Sequence, residues 1–341
     1  MRDPFQDGVL VTGVSGFLGS HLCRLLLTEG YKVRGSVRDL SKGGALRSVL
    51  VASGAPVSGL DLVEADLRVP DDWHKAVEGC SSVMHLASPF PLYPPKNPDE
   101  VILPAVEGTV NVLSAAKAAG ISQVVMTSSI AAVCYDSPDR PGHIFTEDDW
   151  TNPDAQGLSA YIQSKAIAEK EAWRIAEHLG LDLAVIAPGV ILGPLILPEG
   201  AASVELVRKL LNDNLPGCPR FGWPIADVRD VAKAHVDAMK LGPEAPRRFL
   251  VASRFMWTVE IARHLREQLG ECGNRVPGRQ LPDWLVRLYA IFDREVASVL
   301  FELGQRREVS TIAAEQWLGW SPRPVEETLI DCARSLIDHE V

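Results

Sequence analysis

The sequence has no concentrated block of Lys and Arg, and its formal net charge is −10. A nucleic-acid-binding surface needs clustered basic residues that displace counterions from phosphates, so we expect no nucleic-acid partner. The six cysteines are far apart, with no Cys-x-x-Cys pair and no flanking histidine cluster. This spacing favours neither a structural zinc site nor a disulfide framework, and it predicts buried, reduced thiols and no bound metal.

Long uninterrupted apolar runs are also lacking. The stretch 183–198 carries no charge, but proline and glycine interrupt it repeatedly. A membrane-spanning helix needs about 20 consecutive apolar residues, so this stretch predicts a buried strand followed by a loop. The first strand-like run begins at Gly8, which leaves no room for a signal peptide ahead of it. We therefore expect a cytoplasmic protein without a membrane partner.

The sequence has the composition of a folded globular protein, with 46% hydrophobic and 23% charged residues over 341 positions. One hydrophobic core serves roughly 100–200 residues, so the length predicts about two domains. Strand-like apolar runs alternate with helix-spaced segments over the first half of the chain. The predicted strands are 8–12, 31–37, 60–64, 82–86, 124–127 and 182–187, and the predicted helices are 19–30, 71–78, 98–120 and 160–180.

This alternation predicts an α/β fold with a doubly wound parallel sheet, because parallel strands need crossover helices between them. After Pro188 the rhythm changes. We expect helices at 203–212 and 227–241 and a strand at 248–252 that returns to the sheet. The residues from 254 onward carry most of the aromatic bulk and predict a smaller, mostly helical lobe.

A glycine-rich segment, VTGVSGFLG at 11–19, joins the first predicted strand to the first predicted helix. Gly13 permits a tight turn, Gly16 lets the backbone approach a pyrophosphate, and Gly19 lets the helix pack on the strand. The helix N-terminus then offers free N–H groups and a partial positive charge to phosphates. In its strand–turn–helix context the segment predicts a dinucleotide site, whereas a purely structural turn is the alternative.

The second predicted strand ends in Val37, Arg38 and Asp39. An NAD enzyme places a carboxylate at this point to hold the ribose hydroxyls, whereas an arginine attracts and grips the additional phosphate of NADP. The uncharged Val37 followed by Arg38 favours NADP(H). Asp39 could pair with Arg38 or contact a ribose, and a solvated turn is the alternative interpretation of all three residues.

The third and fourth predicted strands end in Asp66 and in His85 followed by small residues. A carboxylate at position 66 can accept from an adenine amino group, and capping of the next helix is the alternative. The small residues after His85 let a ribose and a nicotinamide lie against the backbone. We expect His85 itself to be a packed or hydrogen-bonded strand residue and not a catalyst.

A third group of residues predicts acid–base chemistry. Ser128 and Ser129 end the fifth strand, and Tyr161 and Lys165 lie one turn apart on a helix, on the same face. A phenol has a pKa of about 10, and a nearby ammonium favours the phenolate, so we expect Lys165 to lower the pKa of Tyr161. A strand-end serine can hydrogen-bond a carbonyl oxygen on which negative charge develops.

In this order, these residues resemble the extended short-chain dehydrogenase/reductase family, in particular its dihydroflavonol 4-reductases, cinnamoyl-CoA reductases and related microbial aldehyde/ketone reductases. The segments that carry the resemblance are TGVSGFLGSHL (12–22), YKVRGSVRD (31–39), HLASP (85–89), VEGTVNVLSAAK (106–117), VVMTSS (124–129), YIQSK (161–165) and APGVILGP (187–194). Beyond Gly193 it thins, although 227–239 and 318–329 still match. The stretch 254–317 does not match the plant enzymes well, so we do not carry over their flavonoid substrate.

The resemblance implies a triad of Ser129, Tyr161 and Lys165 in a Rossmann domain, with Ser128 beside the cofactor. We expect an NADP-binding domain of 1–190 plus 226–253 and a substrate-binding lobe of 191–225 plus 254–341. Lys42 is offset from the position at which the family often adds a phosphate contact. The NADP(H) contacts that the resemblance implies are Gly13, Ser15, Gly16, Phe17, Leu18, Gly19, Arg38, Asp66, Leu67, Leu86, Ala87, Ser88, Thr127, Ser128, Tyr161, Lys165, Pro188, Ile191 and Ser203.

The expected reaction is NADPH-dependent reduction of an aldehyde or ketone, with Tyr161 as the proton donor. The predicted substrate pocket is apolar and consists of Pro89, Phe90, Tyr93, Ile130, Tyr135, Leu192, Leu195, Phe221 and Trp223. It favours a small-molecule substrate with an aromatic or aliphatic body. The alternatives are an NAD-dependent nucleotide-sugar epimerase or dehydratase, a 3β-hydroxysteroid-type dehydrogenase and a non-catalytic NADP-sensing protein. A monomer and a homodimer are both compatible with the sequence.

Overall fold

The computed structural model describes residues 7–90, 95–135, 142–197, 202–212 and 215–339. The strands are β1 Gly8–Thr12, β2 Lys32–Val37, β3 Leu60–Glu64, β4 Cys80–His85, β5 Gln123–Thr127, β6 Ile144–Phe145, β7 Asp182–Pro188, β8 Val190–Leu192, β9 Gly222–Asp227, β10 Arg248–Val251, β11 Phe255–Trp257 and β12 Glu308–Val309. The α-helices are α1 Phe17–Thr28, α2 Gly43–Ala52, α3 Pro70–Ala76, α4 Asp99–Ala118, α5 Ala160–Leu179, α6 Glu205–Asn212, α7 Val228–Met239, α8 Thr258–Gln268, α9 Asp283–Tyr289, α10 Arg294–Ser298, α11 Ile312–Leu318 and α12 Val325–Asp338.

Seven strands form one parallel sheet in the order β10-β7-β5-β4-β1-β2-β3. The chain builds outward from β1 to β3 and then crosses back to β4, so the direction of winding reverses between β1 and β4. Ligands of doubly wound sheets bind at the carboxyl ends of the strands beside such a reversal. The predicted fold class is confirmed, and so is the return of the chain to the sheet as β10.

Both faces of this sheet are covered, which explains why its strands are continuous apolar runs. In β1, Val9 and Val11 pack in a cluster with residues of α1, α2 and α7, whereas Leu10 packs in a second cluster with residues of α3, α4 and α5. All three side chains are fully buried. The central strands are therefore held from two sides, and the turns at their carboxyl ends start from fixed positions.

A second, three-stranded sheet has the order β11-β9-β8, with β9 antiparallel to β11 and parallel to β8. An apolar cluster beside it joins α6, α8 and α12 and includes Leu192, Leu210, Leu265 and Leu329. The short β12 pairs with β6 and links the C-terminal part of the chain to the segment after the fifth strand of the large sheet. The domain boundaries given above remain a prediction.

Several local predictions differ from the structure in small ways, in the bounds of elements or in the burial of one residue. The predicted helix 71–78 starts one residue earlier, at Pro70, and stops at Ala76, because the chain then turns through Gly79, which has a φ of +71°. Pro104 lies inside α4. All six cysteines lie within the described residues and no disulfide joins them; five are buried as predicted, and Cys272 is exposed. The buried strand predicted in the interrupted apolar run is confirmed as β7, but the short strand β8 lies where a loop was predicted.

Candidate active site

The glycine-rich turn after β1 is closely packed. Gly13 has a φ of +68°, and a Cβ on Gly19 would lie 2.2 Å from the Gly13 carbonyl oxygen. The start of α1 therefore lies against the turn, at a distance that only glycine permits. Gly16 is the N-cap of α1, so no N-cap side chain occupies its first N–H groups. Ser15 and Gly16 are exposed at the rim of this turn.

This turn fits the pyrophosphate of a dinucleotide. A close backbone approach requires that no Cβ fills the turn, and the N–H groups at the start of α1 provide donors together with the positive end of the helix dipole. The hydroxyl of Ser36 on β2 accepts a hydrogen bond from Gly13 N at 3.2 Å, and Val14 N donates to the Ser36 carbonyl oxygen at 3.2 Å. The turn is thereby tied to the neighbouring strand.

Thr12 and His85 connect the ends of β1 and β4, on either side of the winding reversal. The Thr12 hydroxyl oxygen accepts from the backbone N–H groups of Leu86 and Ala87, both at 2.9 Å. Thr109 donates its proton to a backbone carbonyl, so it accepts from His85 Nε2 at 3.4 Å. His85 Nδ1 therefore accepts from Thr12 at 3.1 Å. Burial, with a smaller contribution from the charge of Lys165, lowers the pKa of His85 to about 3. The expectation of a hydrogen-bonded strand histidine is confirmed.

The ends of β2 and β3 bring Arg38 and Asp66 close together. Hydrogen bonds from Arg68 lower the pKa of Asp66, and the charge of the exposed Arg38 makes a smaller contribution in the same direction. Among the residues that the structure describes, the Arg38 side chain makes no hydrogen bond or ion pair. Asp66 instead binds Arg68, accepting from its backbone N at 2.8 Å and pairing with its guanidinium at 3.3 Å. Asp39 accepts from Ser41 N at 2.9 Å. The alternative role of Asp66 as a cap of α3 is not seen, because the N-cap is Val69.

Ser129 and Tyr161 meet at the carboxyl end of β5. Tyr161 lies in the first turn of α5, which Ser159 caps by accepting from Ile162 N at 3.3 Å. The Ser129 hydroxyl accepts from Ala131 N at 3.1 Å, and it lies close enough to the Tyr161 hydroxyl for hydrogen bonding to oppose the rise of the Tyr161 pKa. The ring of Phe90 meets the ring of Tyr161 edge-on, with centroids 4.5 Å apart. The structure thus brings together two of the three predicted catalytic residues through their reactive atoms.

Lys165 completes the group one turn further along α5. Its Nζ lies 5.8 Å from the centroid of the Tyr161 ring, and the residue is buried. In the part of the chain that the structure describes, this ammonium has no hydrogen-bond acceptor. Burial lowers the pKa of Lys165 to about 8, while the charge of Glu169 opposes that change. A buried ammonium with three free donors fits the hydroxyls of a cofactor ribose.

The expectation that Lys165 lowers the pKa of Tyr161 is wrong. Burial raises the pKa of Tyr161 to about 12, and only the hydrogen bond from Ser129 opposes this change. The Nζ of Lys165 lies 5.8 Å from the centroid of the Tyr161 ring, and burial also lowers the pKa of Lys165 itself. The phenol is therefore fully protonated at neutral pH.

Other predicted cofactor contacts have side chains or carbonyls that are already bonded. The Thr127 hydroxyl donates to His235 Nε2 at 2.6 Å, because His235 Nδ1 donates to the Val231 carbonyl. The Ser128 hydroxyl donates to Glu169 at 2.5 Å. The Leu67 carbonyl accepts from an asparagine side chain. If these residues contact a cofactor, they do so through atoms other than the bonded hydroxyls and carbonyl. Ser88 follows β4, Pro188 ends β7, Ile191 lies on β8 and Ser203 precedes α6.

The predicted substrate pocket is placed only in part around Tyr161. Phe90 lies beside it, Pro89 precedes Phe90 in the chain, and Ile130 follows Ser129 directly. Leu192 and Leu195 are buried in the apolar cluster of α6, α8 and α12, and this packing does not support a pocket role for them. Tyr93 lies outside the described residues.

Of the remaining predicted pocket residues, Tyr135 and Trp223 meet a buried carboxylate that the sequence did not reveal, and Phe221 lies near Trp223. The Tyr135 hydroxyl donates to Glu302 at 2.5 Å, and Trp223 also hydrogen-bonds Glu302. Phe221 lies 6.3 Å from Trp223 between ring centroids. Burial raises the pKa of Glu302, which also binds Arg307. No motif marks Glu302, because its aromatic partners Tyr135 and Trp223 lie far away in the sequence.

Comparison with known proteins agrees with this geometry. A model of the NAD dependent epimerase/dehydratase family matches residues 9–252. A cinnamoyl-CoA reductase of Medicago truncatula is 36% identical over 81% of this chain and 82% of its own length. A dihydroflavonol 4-reductase of Zea mays is 33% identical over 80% of this chain and 78% of its own length. The yeast methylglyoxal/isovaleraldehyde reductase Gre2, solved with NADPH, is 25% identical and has a TM-score of 0.80 over 97% of this chain and 98% of its own.

Proposed function

The chain belongs to the NAD dependent epimerase/dehydratase family, and we propose that it is a carbonyl reductase that takes an aldehyde or ketone with an apolar or aromatic body. It is an NADP-dependent oxidoreductase of the extended short-chain dehydrogenase/reductase type. The observation that carries the proposal is the hydrogen-bonded pair of Ser129 and Tyr161 hydroxyls beside Lys165. They lie at the same edge of the sheet as the glycine turn.

NADPH, when bound, supplies the hydride that reduces the carbonyl carbon. Tyr161 gives its proton to the carbonyl oxygen, because its raised pKa keeps the phenol protonated and an alkoxide is a stronger base than a phenolate. Ser129 donates a hydrogen bond to the same oxygen as negative charge develops. Lys165 holds the ribose hydroxyls, and its charge stabilises the phenolate that Tyr161 leaves behind.

The residues around Tyr161 favour an uncharged substrate. Phe90 supplies apolar surface next to the phenol, and Ile130 directly follows Ser129. Arg220 is the cation on which a phosphorylated substrate could rely, and it is bound to Asp283 with a 2.5 Å contact. The proposal therefore favours free aldehydes and ketones over nucleotide-linked sugars, and it includes the short aldehydes named for the yeast relative.

A screen of NADPH depletion tests the proposal with aromatic aldehydes, aliphatic aldehydes, α-dicarbonyls and β-keto esters. With the best substrate, Tyr161→Phe should lower kcat by about 10²–10⁴-fold, the usual contribution of a positioned acid. It should still bind NADPH, measured by fluorescence titration, because only a hydroxyl is lost. Tyr289→Phe, which alters an exposed tyrosine on α9, is the matched control and should leave kcat unchanged.

Lys165→Ala should lower kcat as much as Tyr161→Phe does and should also weaken NADPH binding. The ammonium both stabilises the Tyr161 phenolate and holds the ribose hydroxyls. A Tyr161→Phe enzyme that keeps more than a tenth of the wild-type kcat would move the proton donor elsewhere. If none of the four carbonyl classes is reduced by protein that binds NADPH, the proposal of a carbonyl reductase is wrong.

A further inference from the structure

A buried carboxylate that the reaction does not use lies directly behind the catalytic residues. Glu169 is one turn beyond Lys165 on α5 and is fully buried. It accepts from Ser128 Oγ at 2.5 Å and from Arg248 Nε at 2.7 Å. Trp173 Nε1 donates to it at 3.2 Å. A buried carboxylate with this many donors is fixed in one orientation, and it fixes its donors in return.

Arg248, the partner of Glu169, stands at the start of the edge strand β10 and is also buried. Its Nη1 donates to the backbone carbonyls of Glu147 and Asp149 at 2.6 and 2.7 Å. Its guanidinium carbon lies 3.7 Å from the centroid of the Trp150 ring. A lysine could not make this set of contacts, because it lacks the planar fork. The ion pair is thus joined to the segment 147–150.

That segment holds the chain on the far side of Ser129. Thr151 donates from its backbone N to the Ala132 carbonyl at 2.9 Å and from its hydroxyl to the Ala131 carbonyl at 2.7 Å. Ala131 N in turn donates to the Ser129 hydroxyl at 3.1 Å. Ser128, on the near side, is bound directly to Glu169. Ser129 therefore lies between two anchors that both lead to the Glu169–Arg248 pair.

We infer that Glu169 and Arg248 are positioning residues for the proposed reaction: they aim the Ser129 hydroxyl, and Glu169 supplies the negative charge that keeps Lys165 an ammonium. Neither residue touches the reacting atoms. The inference rests on the proposed function, because it assigns these two residues to the same site.

The effect of the Glu169 charge on the pKa of Lys165 can be distinguished from the effects of the other groups around Lys165. The titratable and charged groups that face it are Tyr161 and Glu169 on α5, His85 on β4 and, behind Glu169, Arg248 on β10. Tyr161 and His85 are uncharged at neutral pH because burial shifts their pKa values to about 12 and about 3. Glu169 alone opposes the lowering of the Lys165 pKa by burial. Without that charge, the ammonium should lose its proton at a lower pH.

Glu169→Gln tests this effect, with Glu171→Gln as the matched control on the same helix, where the carboxylate pairs with the exposed Arg174. We expect the alkaline limb of kcat/KM for NADPH to move to lower pH by about one unit in Glu169→Gln. This is the low end for an opposite charge at close range, because Arg248 shares the carboxylate. Glu171→Gln should not move it.

A second readout uses the cofactor-free chain. The rate at which acetic anhydride labels Lys165, followed against pH by peptide mass spectrometry, reports the protonation of that amine without any turnover. Its midpoint should shift to lower pH by about one unit in Glu169→Gln and stay in place in Glu171→Gln. Midpoints that stay in place in both variants would overturn the charge role.

Ser128→Ala tests the aiming of Ser129 separately, since it removes the bond to Glu169 and keeps the charge. We expect kcat to fall by about 3–10-fold with no shift of the pH limb and an unchanged Kd for NADPH. An unchanged kcat would overturn the aiming role. Arg248→Lys should show a similar fall in kcat, because it keeps the charge and loses the contacts to Glu147 and Asp149.

Glu169→Gln leaves Arg248 as a buried, unpaired charge, which destabilises proteins strongly. If thermal unfolding shows that this variant does not fold, the double variant Glu169→Gln/Arg248→Gln removes both charges together. The limb should then still move to lower pH, but by less, because the loss of the Arg248 charge offsets part of the loss of the nearer Glu169 charge. The experiments distinguish a failure of the proposed function from a failure of the positioning role of Glu169. An active Tyr161→Phe enzyme contradicts the proposed function, whereas an inactive Tyr161→Phe with an unshifted Glu169→Gln contradicts this inference alone.

Discussion

Arg38→Ala should remove most of the preference of the enzyme for NADPH over NADH. Arg38 follows Val37 at the carboxyl end of β2, where an NAD enzyme would place a carboxylate. Its side chain has no hydrogen bond or ion pair to another described residue, so no interaction within the protein has to break before it binds a phosphate. The guanidinium is therefore available to the 2′-phosphate that distinguishes NADPH from NADH.

The size of the preference follows from the exposure of Arg38. A charge-assisted hydrogen bond contributes about 1.5–3 kcal/mol, which corresponds to about 10–150-fold in kcat/KM. Because Arg38 is exposed to solvent, screening places the expected value near the lower end, about 10–30-fold. Asp39 accepts from Ser41 N, which turns its carboxylate toward its own turn and limits its repulsion of the phosphate.

Steady-state kinetics with each cofactor and fluorescence titration of the same variants measure the effect. Arg38→Ala should raise KM and Kd for NADPH by about 10-fold or more and leave those for NADH nearly unchanged. Arg174→Ala, which removes an exposed arginine paired with Glu171, is the control and should change neither. Equal use of both cofactors by the wild type, or NAD that copurifies and cannot be exchanged, would refute the reasoning and favour an epimerase.

Three further outcomes are expected. Ser129→Ala should lower kcat by about 10²–10³-fold in steady-state assays, and a larger loss in Ser128→Ala would reverse the two roles. Gly19→Ala should lower the free energy of unfolding by about 1–3 kcal/mol in urea titrations and weaken NADPH binding, because its Cβ would lie 2.2 Å from Gly13 O; Gly44→Ala, with open space around it, should not destabilise. Burial lowers the pKa of His235 to about 4, so the unfolded chain takes up this proton first and stability should fall by up to about 3 kcal/mol as pH drops from about 6.5 to 4. His235→Gln should flatten that slope, and an unchanged slope would contradict the assignment.

The parallel sheet could be predicted because most of its strands are local apolar runs that alternate with helix-spaced segments. The helix α2 between β2 and β3 was not predicted. Even the edge strand β10 was found, since Arg248–Val251 follows a clear helix. The strands β8 and β11 were not predicted, because each has only three residues. The strand β9 was not predicted because its sequence, GWPIAD, contains glycine and proline, which favour a turn. They form only by pairing with one another after the chain has left the large sheet.

The residues of the candidate site also fall into two groups, those that the sequence predicted and those that it did not. Gly13, Tyr161 and Lys165 are marked by local spacing, since a turn or one helical step places the residues that cooperate. Glu169 and Arg248 lie 79 residues apart, and each by itself is an ordinary charged residue in the sequence. The pKa of Tyr161 was wrongly expected to fall, because spacing reveals the neighbouring ammonium but not the burial that outweighs it.

The segment from Ser128 to Tyr135 connects the two parts of the site physically. At its start, Ser128 is bound to Glu169 in the sheet domain, and at its end, Tyr135 is bound to Glu302 in the C-terminal part of the chain. Glu302 in turn binds Trp223, a predicted substrate contact. A substrate that displaces Trp223 or Tyr135 therefore acts on the same short segment that carries the Ser129 hydroxyl. We expect substrate shape and the aim of the catalytic serine to be coupled through this segment, in which six peptide bonds separate Ser129 from Tyr135.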